Sequence, residues 1–223
     1  MTGPGRLALV GGGEWSDGCD FDVDLLEASG AKEVVVLPTA AAYEHPERAV
    51  DHATRWFDGL GAAVRPLNVL RRPDAEDADN ADAIRTARFV YIGGGSPMHL
   101  RSVLKSSAVW HALVAAWQDG AVVAASSAGA MVLTDPMVDP RGGAFTVGLA
   151  LVAQLAVLPH ADTWSPEKWH RTVRLAPAGI PLAAIDERTA LVRDGGQGWR
   201  AAGAGEVKVW LDGHEAGLDA LPG

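Results

Sequence analysis

Short, largely apolar runs recur along the first half of the chain, each ending in a turn. Leu7-Ala8-Leu9-Val10 leads into Gly11-Gly12-Gly13, and Val34-Val35-Val36-Leu37 leads into Pro38-Thr39-Ala40. Val64 to Leu70 and Phe89-Val90-Tyr91-Ile92 continue the series, the latter ending in Gly93-Gly94-Gly95. Runs without polar alternation suit strands buried on both faces. Between them the spacing predicts helices over Ala49 to Leu60 and Ser107 to Gln118. The second carries Trp110, Val114 and Trp117 on one face and has Gly120 as its stop. This alternation predicts an α/β fold: a doubly wound, mostly parallel sheet flanked by helices. Beyond it, Leu182 to Ile185, Ala190 to Arg193 and Val207 to Leu211 predict a short antiparallel C-terminal extension at one edge. The acidic stretch Asp74 to Asp82 reads as a solvated helix start.

The most informative segment is Val122-Val123-Ala124-Ala125-Ser126-Ser127-Ala128-Gly129-Ala130-Met131. An apolar strand ends in two serines, and small residues follow at once. A strand that turns sharply into a helix, holding a serine clear of both backbones, has this composition. Small neighbours are needed because strand and helix approach closely there. Ala125 stands where glycine is usual in Gly-x-Ser-x-Gly. It keeps open an alternative, a non-catalytic member of the same fold that binds a small ligand.

Bulk properties narrow the setting. At 223 residues the chain is expected to form one domain over positions 1–223. Its 48% apolar and 21% charged residues are an ordinary globular mixture. A net charge of −9 argues against nucleic acid and anionic membrane as partners. One cysteine, Cys19, leaves no internal disulfide and no cysteine-rich metal site. No metal or cofactor is expected. Leu7 to Val10 is too short for a signal peptide or membrane span, so a cytoplasmic setting is expected. The residues do not encode an oligomeric state; dimers being the commonest assembly, a homodimer is one candidate.

Ligands of open parallel sheets bind at the carboxyl ends of the strands, where the glycine turns lie. The first turn lacks the Gly-x-Gly-x-x-Gly spacing and has no phosphate-loop lysine, which disfavours a nucleotide. Acyl transfer instead needs two backbone donors for a developing oxyanion. Ala128 offers one, and Gly94 or Gly95 the other. A serine nucleophile also needs a base, and the base an orienting acid. Of the seven histidines, His160 has the best position. It follows Leu155-Ala156-Val157-Leu158-Pro159 and precedes a strong helix start, with Ser165 as cap and Pro166 in the first turn. Trp164 and Trp169 are spaced for a hydrophobic staple across that cap. His170 is the reserve, and His214 would be required by the chain order of α/β-hydrolases. For the acid, Asp186, Glu187, Asp135 and Asp139 all remain open. His99, after the second glycine turn, is a candidate substrate contact. An acidic substrate would need a cation, and Arg171, Arg174, Lys168 and Arg141 are nearest in sequence.

Four segments carry a resemblance. They are Leu9-Val10-Gly11-Gly12-Gly13-Glu14, Gly93-Gly94-Gly95-Ser96-Pro97-Met98-His99-Leu100, Ser126-Ser127-Ala128-Gly129-Ala130, and Ala184-Ile185-Asp186-Glu187. Together they resemble the dipeptidase E and cyanophycinase family of serine peptidases, whose fold is similar to that of class I glutamine amidotransferases. The resemblance implies Ser127 as nucleophile, His160 as general base and Glu187 as orienting acid, with Gly94 and Ala128 as oxyanion donors. It further implies a serine exopeptidase acting on short peptides, some relatives preferring acidic N-terminal residues. From their positions in the chain, Ser96, His99 and Arg171 are the candidate substrate contacts. Ser96 replaces the asparagine or aspartate common at its position. Ala161-Asp162-Thr163-Trp164 replaces the glutamine- and arginine-rich segment of cyanophycinases.

Overall fold

The computed structural model describes residues 3–195 and 198–223. Its centre is a seven-stranded sheet in the order β13-β12-β1-β5-β4-β2-β3. β1 (Leu7–Val10), β2 (Glu33–Leu37), β3 (Ala63–Pro66), β4 (Phe89–Ile92) and β5 (Val122–Ser126) run parallel. β12 (Thr189–Arg193) and β13 (Trp199–Gly203) add an antiparallel edge beside β1. The mostly parallel, helix-flanked sheet is thus the one the apolar runs predict. β3 is shorter than its apolar run, which reached Leu70. Pro66 has no N–H to give a sheet ladder, and the strand ends there.

Strand side chains sort by the two-residue period into separate cores. Leu7, Leu9, Val35, Leu37, Val90, Ile92 and Val123 pack on one face against α5 (Pro97–Leu104), α6 (Ala108–Gln118) and α7 (Ala128–Leu133). Ala8, Val10, Val34, Val36, Phe89 and Tyr91 pack on the other face against α1 (Phe21–Ser29) and α2 (Pro46–Gly59). Ser107 caps α6 by accepting from the Trp110 N–H. In the acidic stretch, Asp74 lies in α3 (Arg72–Glu76), and Asp77 caps α4 (Ala78–Arg85).

The C-terminal part corrects one expectation. Its short strands do not form a single extension. β12 joins the main sheet, whereas β11 (Leu182–Ile185) and β14 (Val207–Leu211) enter a second sheet, β10-β11-β14-β15. There β11 runs parallel to β10 (Ala156–Leu158), and β15 (His214–Ala216) closes the edge. Four two-residue strands, β6 (Thr134–Asp135), β7 (Met137–Val138), β8 (Phe145–Thr146) and β9 (Val152–Ala153), pair up in the segment between α7 and β10. The second sheet matters because β10 and β11 both end beside the carboxyl end of β1.

One buried carboxyl makes stability depend on pH. Asp22, in α1, is fully buried, and its Oδ2 accepts from Trp56 Nε1 at 2.9 Å. Burial pushes its pKa up to about 8; the Trp56 bond opposes that shift, and the nearby Glu14 charge adds to it. The folded chain therefore holds a proton that the unfolded chain releases near pH 4. This group's contribution is complete below about pH 4 and is lost as pH rises toward about 8, on the order of 1 kcal/mol per pH unit. Asp22→Asn keeps an acceptor for Trp56 and should flatten that decline. Urea melts between pH 5 and 8.5 test it, and an unchanged slope in the variant would refute the assignment.

Candidate active site

At the end of β5 the chain turns into α7 through Ser127, whose φ of 49° and ψ of −109° lie outside the comfortable regions for a side chain. The turn is over-determined by its surroundings. Ser127 N–H donates to Val10 O at 2.9 Å, and Met131 N–H donates to Ser127 O at 3.1 Å. Gly129 faces β4 and β5: a Cβ there would lie 2.9 Å from Ile92 O and 3.2 Å from the Ala125 methyl. The space that Gly129 leaves empty is thus what accommodates alanine at position 125.

Ser127 Oγ lies 2.8 Å from His160 Nε2, and His160 Nδ1 lies 2.8 Å from Glu187 Oε1. His160 follows β10 in a left-handed conformation, with its N–H donating to Gly11 O at 2.7 Å. Arg188 N–H donates to Gly12 O at 2.7 Å and holds the Glu187 segment to the same loop. The first glycine turn is therefore a platform for both the imidazole and the carboxylate. Gly12 lies under the ring, where a Cβ would come 2.5 Å from Nδ1 and 2.9 Å from Nε2. Asp162 Oδ1 accepts from Glu187 N–H at 3.1 Å. A hydroxyl, an imidazole and a carboxylate in this series can move a proton off the hydroxyl while the carboxylate fixes the ring's tautomer.

The competing carboxylates face elsewhere. Asp186 Oδ2 accepts from Glu206 N–H, Asp135 Oδ1 from Gly148 N–H, and Asp139 binds Arg141. His214 lies exposed on β15, away from this loop cluster. His170 lies exposed on α8 (Pro166–Arg174).

The donor expectation needs one correction. Gly94 N–H is engaged, donating to Glu14 Oε1 at 3.1 Å. In the same turn Gly95, at φ 133°, has no partner for its N–H among the described residues, and neither has Ala128. Both line a cleft of about 330 Å³ in front of Ser127 and His160. Trp164 and Lys168 line the same cleft.

Three expected substrate contacts are occupied differently. Ser96 caps α5, accepting from His99 N–H at 3.3 Å. His99 Nε2 bonds Leu70 O at 2.9 Å while its ring meets Tyr43. Arg171 lies exposed on α8, reaching Arg141 O. One turn earlier Lys168 does line the cleft, its ammonium 3.6 Å above the Trp164 ring and 3.0 Å from Pro140 O. That contact also undoes the expected staple: Lys168 takes Trp164, and Trp169 meets Trp210 of β14. Glu14 and Asp162 were missed as site residues. Glu14 directly follows the first glycine turn, at the end of a segment that carries the resemblance, and nothing else marked it. No group of three or more His, Cys, Asp or Glu side chains is placed to hold a metal ion among the described residues. No helix among them is long and apolar enough to cross a membrane.

Sheet, elbow and hydrogen-bonded side chains define an α/β protein in which Ser127, His160 and Glu187 form one continuous series. The chain belongs to Peptidase family S51, whose sequence model matches residues 7–199, and is a serine-type peptidase. The dipeptidase E resemblance read from the four segments is thereby borne out. The chain is 26% identical to the uncharacterized peptidase YgaJ of Bacillus subtilis strain 168 over 163 residues, which cover 70% of this chain and 69% of that one. A peptidase from an acI-B1 Actinobacterium superposes with a TM-score of 0.86 at 28% identity, over 96% of this chain and 94% of that chain. A peptidase E-type protein from Listeria monocytogenes EGD-e shares the fold, with a TM-score of 0.69 at 17% identity, over 91% and 100% of the two chains.

Proposed function

We propose that this chain, acting as one domain, is an exopeptidase that hydrolyses short peptides through Ser127, His160 and Glu187. Ser127 Oγ attacks the scissile carbonyl carbon as its proton passes to His160 Nε2. Glu187, bonded to Nδ1, steadies the imidazolium that results. Gly95 and Ala128 N–H receive the oxyanion, Gly95 taking the part that Gly94 cannot while Glu14 holds it. His160 then protonates the departing amine and the acyl-enzyme forms. A water, deprotonated by the same nitrogen, releases the acid and restores Ser127. The observation that carries this reading is the continuous hydrogen-bonded series, with both links at 2.8 Å.

A preference for acidic residues falls to Lys168, the cation in the cleft wall, rather than to Arg171. The binding-only alternative rested on Ala125, whose methyl fits the room left by Gly129. A fluorophosphonate probe tests the reading. Labelling is expected in the native chain and absent in Ser127→Ala, together with turnover of members of a dipeptide panel. A native chain that takes no label at Ser127 would favour the binder.

A further inference from the structure

Glu14 extends from the loop after β1 to the second glycine turn and to the end of β5. Its Oε1 accepts from Gly94 N–H at 3.1 Å, and its Oε2 accepts from Ser126 Oγ at 2.7 Å. A Cβ built on Gly94 would lie 3.3 Å from Glu14 Oε1, 3.3 Å from Ser127 Cβ and 3.8 Å from Ser127 Oγ. Carboxylate and nucleophile therefore flank the same glycine. Glu14 is part-buried, and no cation pairs with it among the described residues.

A part-buried carboxylate without a counter-charge is costly, and the cost grows when an oxyanion develops close by. Two donors leave about two of its roughly four lone-pair sites unused. A substrate that brought its own cation to this point would remove both penalties. In a peptide cleaved after its first residue, the α-nitrogen lies about 2.5 Å from the scissile carbonyl carbon by standard backbone dimensions. That carbon must come against Ser127 Oγ, so the α-ammonium group lies within a few Å of Ser127, on whose flank Gly94 and the Glu14 carboxylate stand.

We infer that Glu14 anchors the free α-ammonium group of the substrate and so restricts the enzyme to bonds one residue from an unblocked N-terminus. The inference rests on the exopeptidase reading above. It assigns Glu14 a binding role that the hydroxyl–imidazole–carboxylate series does not contain. A carboxylate that served only to clamp the Gly94 turn onto the elbow would affect blocked and unblocked substrates alike. An ammonium anchor discriminates between them.

The experiment compares kcat/KM for Asp-Leu and N-acetyl-Asp-Leu in the native enzyme and in Glu14→Gln. Glutamine keeps a carbonyl oxygen for Gly94 N–H and a partner for Ser126 while removing the charge. The native enzyme should prefer the free dipeptide, and the variant should lose at least tenfold of that preference, mainly through a higher KM. Loss of activity on both substrates with the ratio preserved would reduce Glu14 to a clamp and overturn the inference. A second measurement needs no variant: the native KM for Asp-Leu should rise as pH passes the α-amino pKa of about 8. A KM flat through that range overturns the inference as well. Failure of Ser127 to take the fluorophosphonate would instead strike the exopeptidase reading, so the two failures are told apart.

Discussion

Replacing His160 by alanine should lower kcat/KM on the best dipeptide by about four orders of magnitude, comparable to losing the base from other serine hydrolases. The ring is the group within reach of the Ser127 proton, 2.8 Å from Oγ. Without it the hydroxyl must ionise unaided at neutral pH. Most of the loss should appear in kcat, because the cleft wall around Trp164 and Lys168 is untouched. Glu187→Gln should cost less, about 10²-fold, since this carboxylate is about one-third exposed and water partly takes over its role. His214→Ala provides the contrast. Its exposed ring on β15 has no part in the proposed mechanism, and activity should stay within twofold of native. Steady-state kinetics on the three variants decides the matter. A His214 variant as damaged as the His160 one would return the enzyme to the serine–acid–histidine order of α/β-hydrolases.

Much of this architecture was legible in the chain because its signals are local. Buried parallel strands announce themselves as apolar runs, and Leu7–Val10 and Phe89–Ile92 begin and end where the runs do. The elbow was legible for the same reason: close backbone approach demands small residues in a fixed order. What escaped was pairing across long stretches of sequence. Nothing in Leu182–Ile185 says that it lies parallel to Ala156–Leu158 and antiparallel to Val207–Leu211. The tryptophan staple failed because tertiary partners outcompeted the local one, Trp210 for Trp169 and the Lys168 ammonium for Trp164. The choice between Asp186 and Glu187 was equally hidden. Adjacent side chains leaving a strand point to opposite sides, so one carboxylate meets His160 while its neighbour meets the Glu206 amide. Glu14 was the hardest of all, with its partners Gly94 and Ser126 lying 80 and 112 positions away.

The first glycine turn carries the second large prediction, Gly12→Ala. Gly12 has a φ of 125°, and the imidazole lies against the face where a side chain would project. An alanine methyl would press on the ring, closest to Cε1 and 2.5 Å from Nδ1, so His160 must leave both Ser127 and Glu187. Displacing a catalytic group by even 1 Å costs about 10²-fold, and a displacement larger than that should bring kcat/KM down about 10³-fold. The backbone strain adds about 1–3 kcal/mol of destabilisation, which leaves a folded protein to assay. Gly13→Ala separates strain from displacement. Its φ of 61° is also left-handed, yet its nearest neighbour is the flexible Arg188 side chain at 3.1 Å. That variant should melt lower while keeping activity within a few-fold of native. Thermal melts and fluorophosphonate labelling, run side by side, should show Gly12→Ala folded but unlabelled and Gly13→Ala less stable but labelled. Equal labelling of the two would mean that the ring does not depend on the empty face of Gly12. The placement of the imidazole would then have to come from Gly11 O and Glu187 alone.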